Sequence, residues 1–160
     1  MKTITLEVTD ERYEELLKES TLPKKQSRYV PKVDEEYWYV SSGGKEDYCR
    51  WRNDEYDIFR LGQNNVFKTE AEAEKHSAKH QAISEVTNYC YENDLVLECD
   101  WENLTQEKWR IYYSFNDKKF GYWKYTLSKE VNFLPFLKST EACNQVIKEK
   151  EEALKLIFEI

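Results

Sequence analysis

The sequence predicts an α+β protein made of two β-hairpin-plus-helix units that follow an N-terminal strand-helix extension. Aromatic residues, which favour strands, are abundant (Tyr 12, Phe 7 and Trp 5), and they alternate with Lys/Glu/Ala-rich stretches that favour helices. Three landmarks recur at offsets of 70 to 72 residues: Trp38 with Trp109, Trp51 with Trp123, and Thr69 with Ser139. A nearly constant offset indicates an internal duplication. We expect the paired tryptophans to be matched core anchors.

Composition divides the chain of 160 residues into four segments. Alternating apolar residues near the N-terminus predict a short strand, and apolar residues at helical spacing follow it. Two of the three prolines and several lysines then mark a linker. The predicted boundaries are 1–20 for the N-terminal strand-helix, 21–35 for the linker, 36–94 for the first unit and 95–160 for the second.

The first unit is predicted to open with a β-hairpin and to close with a long helix. Residues 37–40 form the first strand, Gly43 and Gly44 the turn, and residues 47–52 the return strand, because glycine accepts the positive φ angles of tight turns. The elements expected after the hairpin are an irregular stretch at 53–64, a short strand at 66–68, and a helix from 70 to about 93. Thr69 and Glu72 match the capping-box pattern at the start of that helix.

The second unit repeats this order with different turn residues. The predicted elements are a strand at 95–99, a polar segment at 100–107, a hairpin of strands 108–115 and 119–126, and a poorer strand within 132–138 that Pro135 interrupts. Ser139 is expected to cap a single last helix, which lacks a capping box because Ala142 occupies its third position.

Charge and hydropathy exclude several classes of function. A net charge of −7 disfavours non-specific nucleic-acid binding, which depends on basic surfaces. The sequence has no run of about 18 apolar residues and no secretion signal, so we expect no membrane contact and a cytoplasmic location. The four cysteines have no paired spacing and are expected to be free thiols.

Catalytic and cofactor motifs are missing from the sequence. It contains no phosphate-binding glycine loop and no nucleophile elbow, so a non-enzymatic protein without a cofactor is predicted. His76 and His80 have a spacing that can chelate a transition metal, but Ser77 stands where a metalloprotease helix has glutamate. A solvated helix face is the favoured interpretation of this pair, and we predict no metal site.

The densest polar-aromatic cluster of the sequence follows the first hairpin. Tryptophan and arginine often dominate interface energetics, and arginine also pairs bidentately with phosphate. The candidate ligand- or partner-binding residues are therefore Arg50, Trp51, Arg52, Asp57 and Arg60. In the structural alternative, Trp51 packs the hairpin onto a helix while Arg60 pairs with Asp57 or Asp54.

Several short segments form a distinctive pattern over about residues 36–160: 51–57, 60–61, 65–73, 100–103, 106–109, 111–113 and 137–142. This pattern resembles a family of small, uncharacterised proteins from phages and prophages of low-GC Gram-positive bacteria. The sequence departs from the family at Asn64, where glycine is usual. The resemblance implies an accessory phage gene product in the bacterial host cell, and it assigns no functional residues.

Three functional hypotheses follow from the sequence. The first is a phage-encoded, non-enzymatic protein that inhibits a host antiviral defence component, in the manner of an anti-CRISPR or another anti-defence protein. The second is a sponge for a small molecule or nucleotide signal, with an aromatic and arginine-lined pocket between the units. The third is a ribbon-helix-helix-like DNA-binding regulator that forms a homodimer through its N-terminal strand, although Glu7 on the outward side of that strand disfavours DNA contact.

Overall fold

A computed structural model of the protein describes residue 9, residues 28–126 and residues 133–160. The predicted N-terminal strand-helix and most of the predicted linker lie outside these residues. The helices and strands are β1 (Glu36–Val40), β2 (Glu46–Arg50), α1 (Glu55–Gly62), α2 (Glu70–Glu92), β3 (Lys108–Ser114), β4 (Lys119–Tyr125), α3 (Thr140–Glu149) and α4 (Glu151–Phe158). The α+β class and the two hairpin-plus-helix units are therefore confirmed.

Each unit contains one antiparallel strand pair. Strand β1 pairs with β2, and β3 pairs with β4. The first hairpin turns at Gly44, whose φ of 76° is readily accessible to glycine. The Gly44 amide donates to the carbonyl oxygen of Ser41 at 2.9 Å, which closes the turn. The predicted glycine turn is thus the turn that forms.

The two units also share a β-bridge that connects the hairpin to the following helix. The backbones of Trp38 and Phe67 exchange two hydrogen bonds of 2.9 Å, and those of Trp109 and Leu137 exchange bonds of 3.3 and 2.8 Å. The three short strands predicted at 66–68, 95–99 and 132–138 are each reduced to one bridge residue. These bridge residues are Phe67, Val96 and Leu137, and Val96 pairs with Leu137. Trp38 and Trp109 therefore occupy matched positions in the backbone.

In both units the residue that caps the next helix stands two residues after the bridge. The Thr69 hydroxyl accepts a hydrogen bond from the Glu72 amide, and the Glu72 carboxylate accepts one from the Thr69 amide, both at 3.3 Å. This reciprocal pair is the predicted capping box. Ser139 caps α3 by accepting a hydrogen bond from the Ala142 amide at 3.2 Å. Both predicted helix starts are confirmed.

Two predicted elements differ from the structure. The stretch expected to be irregular contains α1, which Asp54 caps by accepting hydrogen bonds from the amides of Tyr56 and Asp57 at 3.0 Å. The single last helix is instead two helices that meet at Lys150. Lys150 leaves helical geometry (φ −128°, ψ 27°), and its ammonium group binds the Glu85 carboxylate of α2 at 2.9 Å.

The predicted equivalence of Trp51 and Trp123 as core anchors is wrong. Trp51 is buried, with 3% of its surface exposed, whereas Trp123 is 61% exposed. The Trp51 amide extends the hairpin beyond β2 by donating to the Glu35 carbonyl oxygen at 2.9 Å. Trp123 lies opposite Arg110 in the second hairpin, on the face opposite to that of buried Ile111.

The main hydrophobic core combines the second unit with the C-terminal half of α2. Its buried members come from α2, β3, the bridge segment, α3 and α4: Ala82, Val86, Cys90, Ile111, Leu134, Leu137, Ala142, Cys143, Val146, Ala153, Leu154 and Ile157. Helix α2 therefore belongs to both units.

All four cysteines are unpaired, and burial raises the pKa of the Cys90 thiol to about 11 and that of Cys143 to about 12. None of the described helices combines the length and the apolar character needed to cross a bilayer.

Removing a core side chain from α4 tests this packing. Leu154 is fully buried, so Leu154→Ala should lower the free energy of unfolding by about 2–5 kcal/mol through lost burial and the cavity left behind. Leu156 lies on the same helix and is 53% exposed, so Leu156→Ala should change stability by less than about 0.5 kcal/mol. Urea unfolding followed by tryptophan fluorescence measures the stability of both variants. Equal destabilisation would contradict the assignment of Leu154 to the buried face of α4 and of Leu156 to its exposed face.

Candidate functional site

Four of the five predicted site residues border one surface cleft. Arg50, Arg52, Asp57 and Arg60 line a space of about 210 Å³ that Cys49, Asp54 and Tyr56 complete. The fifth residue, Trp51, is buried and does not line the cleft. The structure therefore brings the predicted arginines together and removes the tryptophan from the surface.

Trp51 packs inside the first unit. Its ring meets the Tyr37 ring edge-on, with centroids 5.6 Å apart and planes at 70°, a favourable arrangement for two aromatic rings. Its carbonyl oxygen accepts a hydrogen bond from the Asp34 amide at 2.9 Å. Trp51 is therefore a buried packing residue whose contacts are to β1 and to the chain just before it.

Asp57 is a buried carboxylate with two hydrogen-bond donors. Its Oδ1 accepts a hydrogen bond from the Tyr37 hydroxyl at 2.7 Å, and its Oδ2 accepts one from the Arg52 amide at 2.6 Å. Burial by itself would raise the pKa of Asp57, but these hydrogen bonds outweigh burial, so the pKa lies below its ordinary value. The side chain is therefore charged and is fixed to both β1 and the chain after β2.

Arg60 reaches the same network through Tyr37. Its Nη1 donates to the Tyr37 hydroxyl oxygen at 2.8 Å and to the Cys49 sulfur at 3.2 Å, and its guanidinium lies 3.7 Å from the Tyr39 ring centroid. Burial would lower the pKa of Arg60, but the bond to Tyr37 outweighs it and keeps the group charged. The expected direct pairing of Arg60 with Asp57 or Asp54 is thus replaced by a bridge through the Tyr37 hydroxyl.

The other two arginines present their guanidinium groups to solvent. Arg50 lies 3.4 Å from Glu36 across the strand pair, and both side chains are more than half exposed, so this ion pair contributes little to stability. Arg52 is anchored through its backbone amide, and its guanidinium has no hydrogen bond or ion pair within the part of the chain that the structure describes. Both charges are available to a binding partner.

Helix α1 carries exposed apolar side chains beside this cleft. Tyr56, Ile58 and Phe59 are 66%, 51% and 62% exposed, while the buried residue of the helix is Asp57. These three residues were not predicted as site residues because no helix was expected there, although Asp54 supplied an N-cap signal. We call Tyr56, Ile58 and Phe59, together with Arg50 and Arg52, the α1 surface.

The shape and charge of the cleft suit a small anionic group. Three arginine side chains border it against two aspartates, and the Asp57 carboxylate already accepts hydrogen bonds from the Tyr37 hydroxyl and the Arg52 amide. A volume of about 210 Å³ is below the roughly 300–1,000 Å³ of typical small-molecule sites. A carboxylate side chain from another protein therefore fits the cleft better than a complete nucleotide.

A larger groove lies between the first hairpin turn and α2. It encloses about 710 Å³ and is lined mainly by amide, hydroxyl and imidazole groups, among them Asn65, His76, Ser77, His80 and Gln81. This lining differs from the arginine and aromatic pocket expected between the two units. His76 and His80 line this groove, so the pair is not simply part of a solvated helix face as the sequence indicated. His76 is half-buried, and its pKa is lowered by burial and by the charges of His80 and Lys79.

The chain matches no protein-family model, no curated protein and no solved structure.

The pH dependence of stability tests the buried carboxylate. Because the pKa of Asp57 in the folded protein lies below the ordinary value of 3.8, its stabilisation is present above about pH 4 and is lost as the pH falls through the folded-state pKa. Asp57→Asn should therefore reduce the change in free energy of unfolding between about pH 5 and pH 2.5, as measured by urea unfolding.

Asp54→Asn is the matched control for this experiment. Asparagine caps helices as well as aspartate does, so this variant should keep the acid dependence of the wild-type protein. If Asp57→Asn showed the same acid dependence as the wild type, the charged, hydrogen-bonded state of Asp57 would be disproved.

Proposed function

We propose that this protein is a non-enzymatic binding protein that inhibits a host antiviral defence component for a phage. The α1 surface would make the contact. The observation that carries this proposal is the inverted burial of α1, in which an aspartate faces the protein and Tyr56, Ile58 and Phe59 face solvent. A helix held by polar contacts with aromatic residues outward is suited to being buried by a partner.

The composition of the α1 surface supports tight binding to a protein. Tyrosine and arginine are enriched among the residues that dominate interface energies. Burying an exposed Ile or Phe side chain contributes roughly 1.5–3 kcal/mol. Arg50 and Arg52 line the same cleft as Tyr56, so a partner that presents both acidic and apolar side chains would complement the α1 surface.

The antiviral part of the proposal rests on the resemblance to phage and prophage proteins. Such a protein would act in the cytoplasm of the bacterial host during infection. The sequence contains no catalytic signature, which favours inhibition by occupation of a surface over chemical modification of the target.

Phage plating on defended hosts tests this function. Expression of the wild-type protein should restore plating of a sensitive phage on strains that carry the relevant defence system, and affinity purification should recover the target. Tyr56→Ala and Phe59→Ala should each abolish both effects. Their melting temperatures should stay close to the wild-type value, because both side chains are more than 60% exposed.

Tyr91→Ala is the matched control, because Tyr91 is 64% exposed and lies on α2. This variant should keep full activity. Two outcomes would contradict the proposal: recovery of no stable partner with no effect on plating, or equal activity of the α1 variants and the wild-type protein.

A small-molecule sponge is the second candidate function, and the groove of about 710 Å³ is the observation in its favour. A thermal-shift screen with cyclic nucleotides and ADP-ribose derivatives separates the two functions. Binding of one of these ligands should raise the melting temperature, since a ligand that binds only the folded state stabilises it. Alanine variants of the α1 surface should leave such a shift unchanged.

DNA-binding regulation through an N-terminal homodimer remains a third proposal, because residues 1–8 lie outside the described part of the chain. Its test is salt-dependent DNA binding that disappears when residues 1–20 are deleted.

A further inference from the structure

Two imidazole rings lie side by side on the wall of the larger groove. His76 and His80 are one helical turn apart on α2, with ring centroids 4.3 Å apart and planes at 44°. Both border the same space of about 710 Å³. Residues four apart on a helix share a face, so the two rings can present nitrogen atoms to one point in the groove.

The surrounding structure positions the pair and leaves its nitrogens available. The Phe67 ring lies 4.8 Å from the His76 ring, and two backbone hydrogen bonds to Trp38 fix Phe67 in the bridge of the first unit. The Ser77 hydroxyl binds the Gly44 carbonyl oxygen at 2.8 Å, which holds the hairpin turn against α2. Neither imidazole has a hydrogen bond or ion pair within the described part of the chain.

We propose that His76 and His80 chelate a late first-row divalent cation in this groove, with Cu²⁺ bound more tightly than Ni²⁺ or Zn²⁺. Imidazole nitrogen suits all three ions, and the general order of affinities places Cu²⁺ highest. The described residues contain no group of three or more His, Cys, Asp or Glu side chains that could hold a metal. Among the described residues, no further side chain completes the coordination, so the remaining positions are open to water or to a ligand from another molecule.

This open coordination distinguishes the site from a structural zinc site, which is closed by four protein ligands. Two ligands from adjacent turns of one helix bind more weakly than four. They also leave the ion accessible from the groove, where a side chain of another molecule could complete its coordination. None of the residues that line the groove belongs to the α1 surface, so this inference is independent of the proposed contact through α1, and it shares the groove with the small-molecule candidate.

Metal titration of the full-length protein tests the site. Isothermal titration with CuSO₄ and NiCl₂ in a non-coordinating buffer should show one ion per chain, and the electron paramagnetic resonance spectrum of the Cu²⁺ complex should show coupling to two nitrogen atoms. His76→Gln and His80→Gln should each weaken Cu²⁺ binding by about tenfold or more, because chelation by one residue assists the other. Cu²⁺ should raise the melting temperature of the wild-type protein more than that of either variant.

Ser84→Ala is the matched control, because Ser84 lines the same groove and its hydroxyl donates to the His80 carbonyl oxygen. This variant should bind Cu²⁺ as the wild type does. His80 is exposed, so His80→Gln should fold normally. If His76→Gln does not fold, the Cu²⁺ affinity of His80→Gln alone tests the site. Wild-type affinity in His80→Gln, or coupling to a single nitrogen in the wild-type complex, would overturn the proposal.

Discussion

The hydroxyl group of Tyr37 is the contact on which the candidate binding surface depends. Tyr37 is completely buried, and its hydroxyl accepts a hydrogen bond from Arg60 while it donates one to Asp57. One oxygen atom thus connects β1 to two successive turns of α1. Asp57 extends this connection to the backbone of Arg52, just beyond β2. Buried charges are stable only when they are paired and hydrogen-bonded, so this network accepts few alternative arrangements.

The polar attachment of α1 explains how the molecule combines a stable core with an exposed apolar helix. The main core lies between α2, α3, α4 and β3, and it includes no residue of α1. Because Asp57 and Arg60 hold the helix, its large apolar side chains need not pack inward. In the second hairpin, by contrast, the Arg110 guanidinium lies 4.5 Å from the centroid of the Tyr125 ring, and Trp123 is exposed. The units share their bridges and helix caps, and they differ in the surfaces available to partners.

Local signals made the first hairpin turn and the helix starts predictable from the sequence. The Gly44 turn and the Thr69 capping box depend on residues within one turn of each other, so they can be recognised from the sequence without knowledge of the tertiary structure. Helix α1 was missed because hydrophobic periodicity locates helices by assuming that apolar residues face inward, and here the inward residue is Asp57. Lys150, where the last helix breaks, binds Glu85, which is 65 residues away, and no local pattern indicates that contact. The partner of Asp57 was likewise beyond local patterns, because Tyr37 is 20 residues away.

Native-state hydrogen exchange in a Tyr37→Phe variant measures this dependence most directly. The substitution removes one hydroxyl group, leaves the ring in place, and deprives Asp57 and Arg60 of their shared partner. Amide protection should fall in Glu55–Gly62 while the core amides of α2, such as that of Val86, keep their wild-type protection after correction for any global change in stability. Unchanged protection in Glu55–Gly62 would contradict this expectation, because it would show that the Tyr37 hydroxyl does not hold α1.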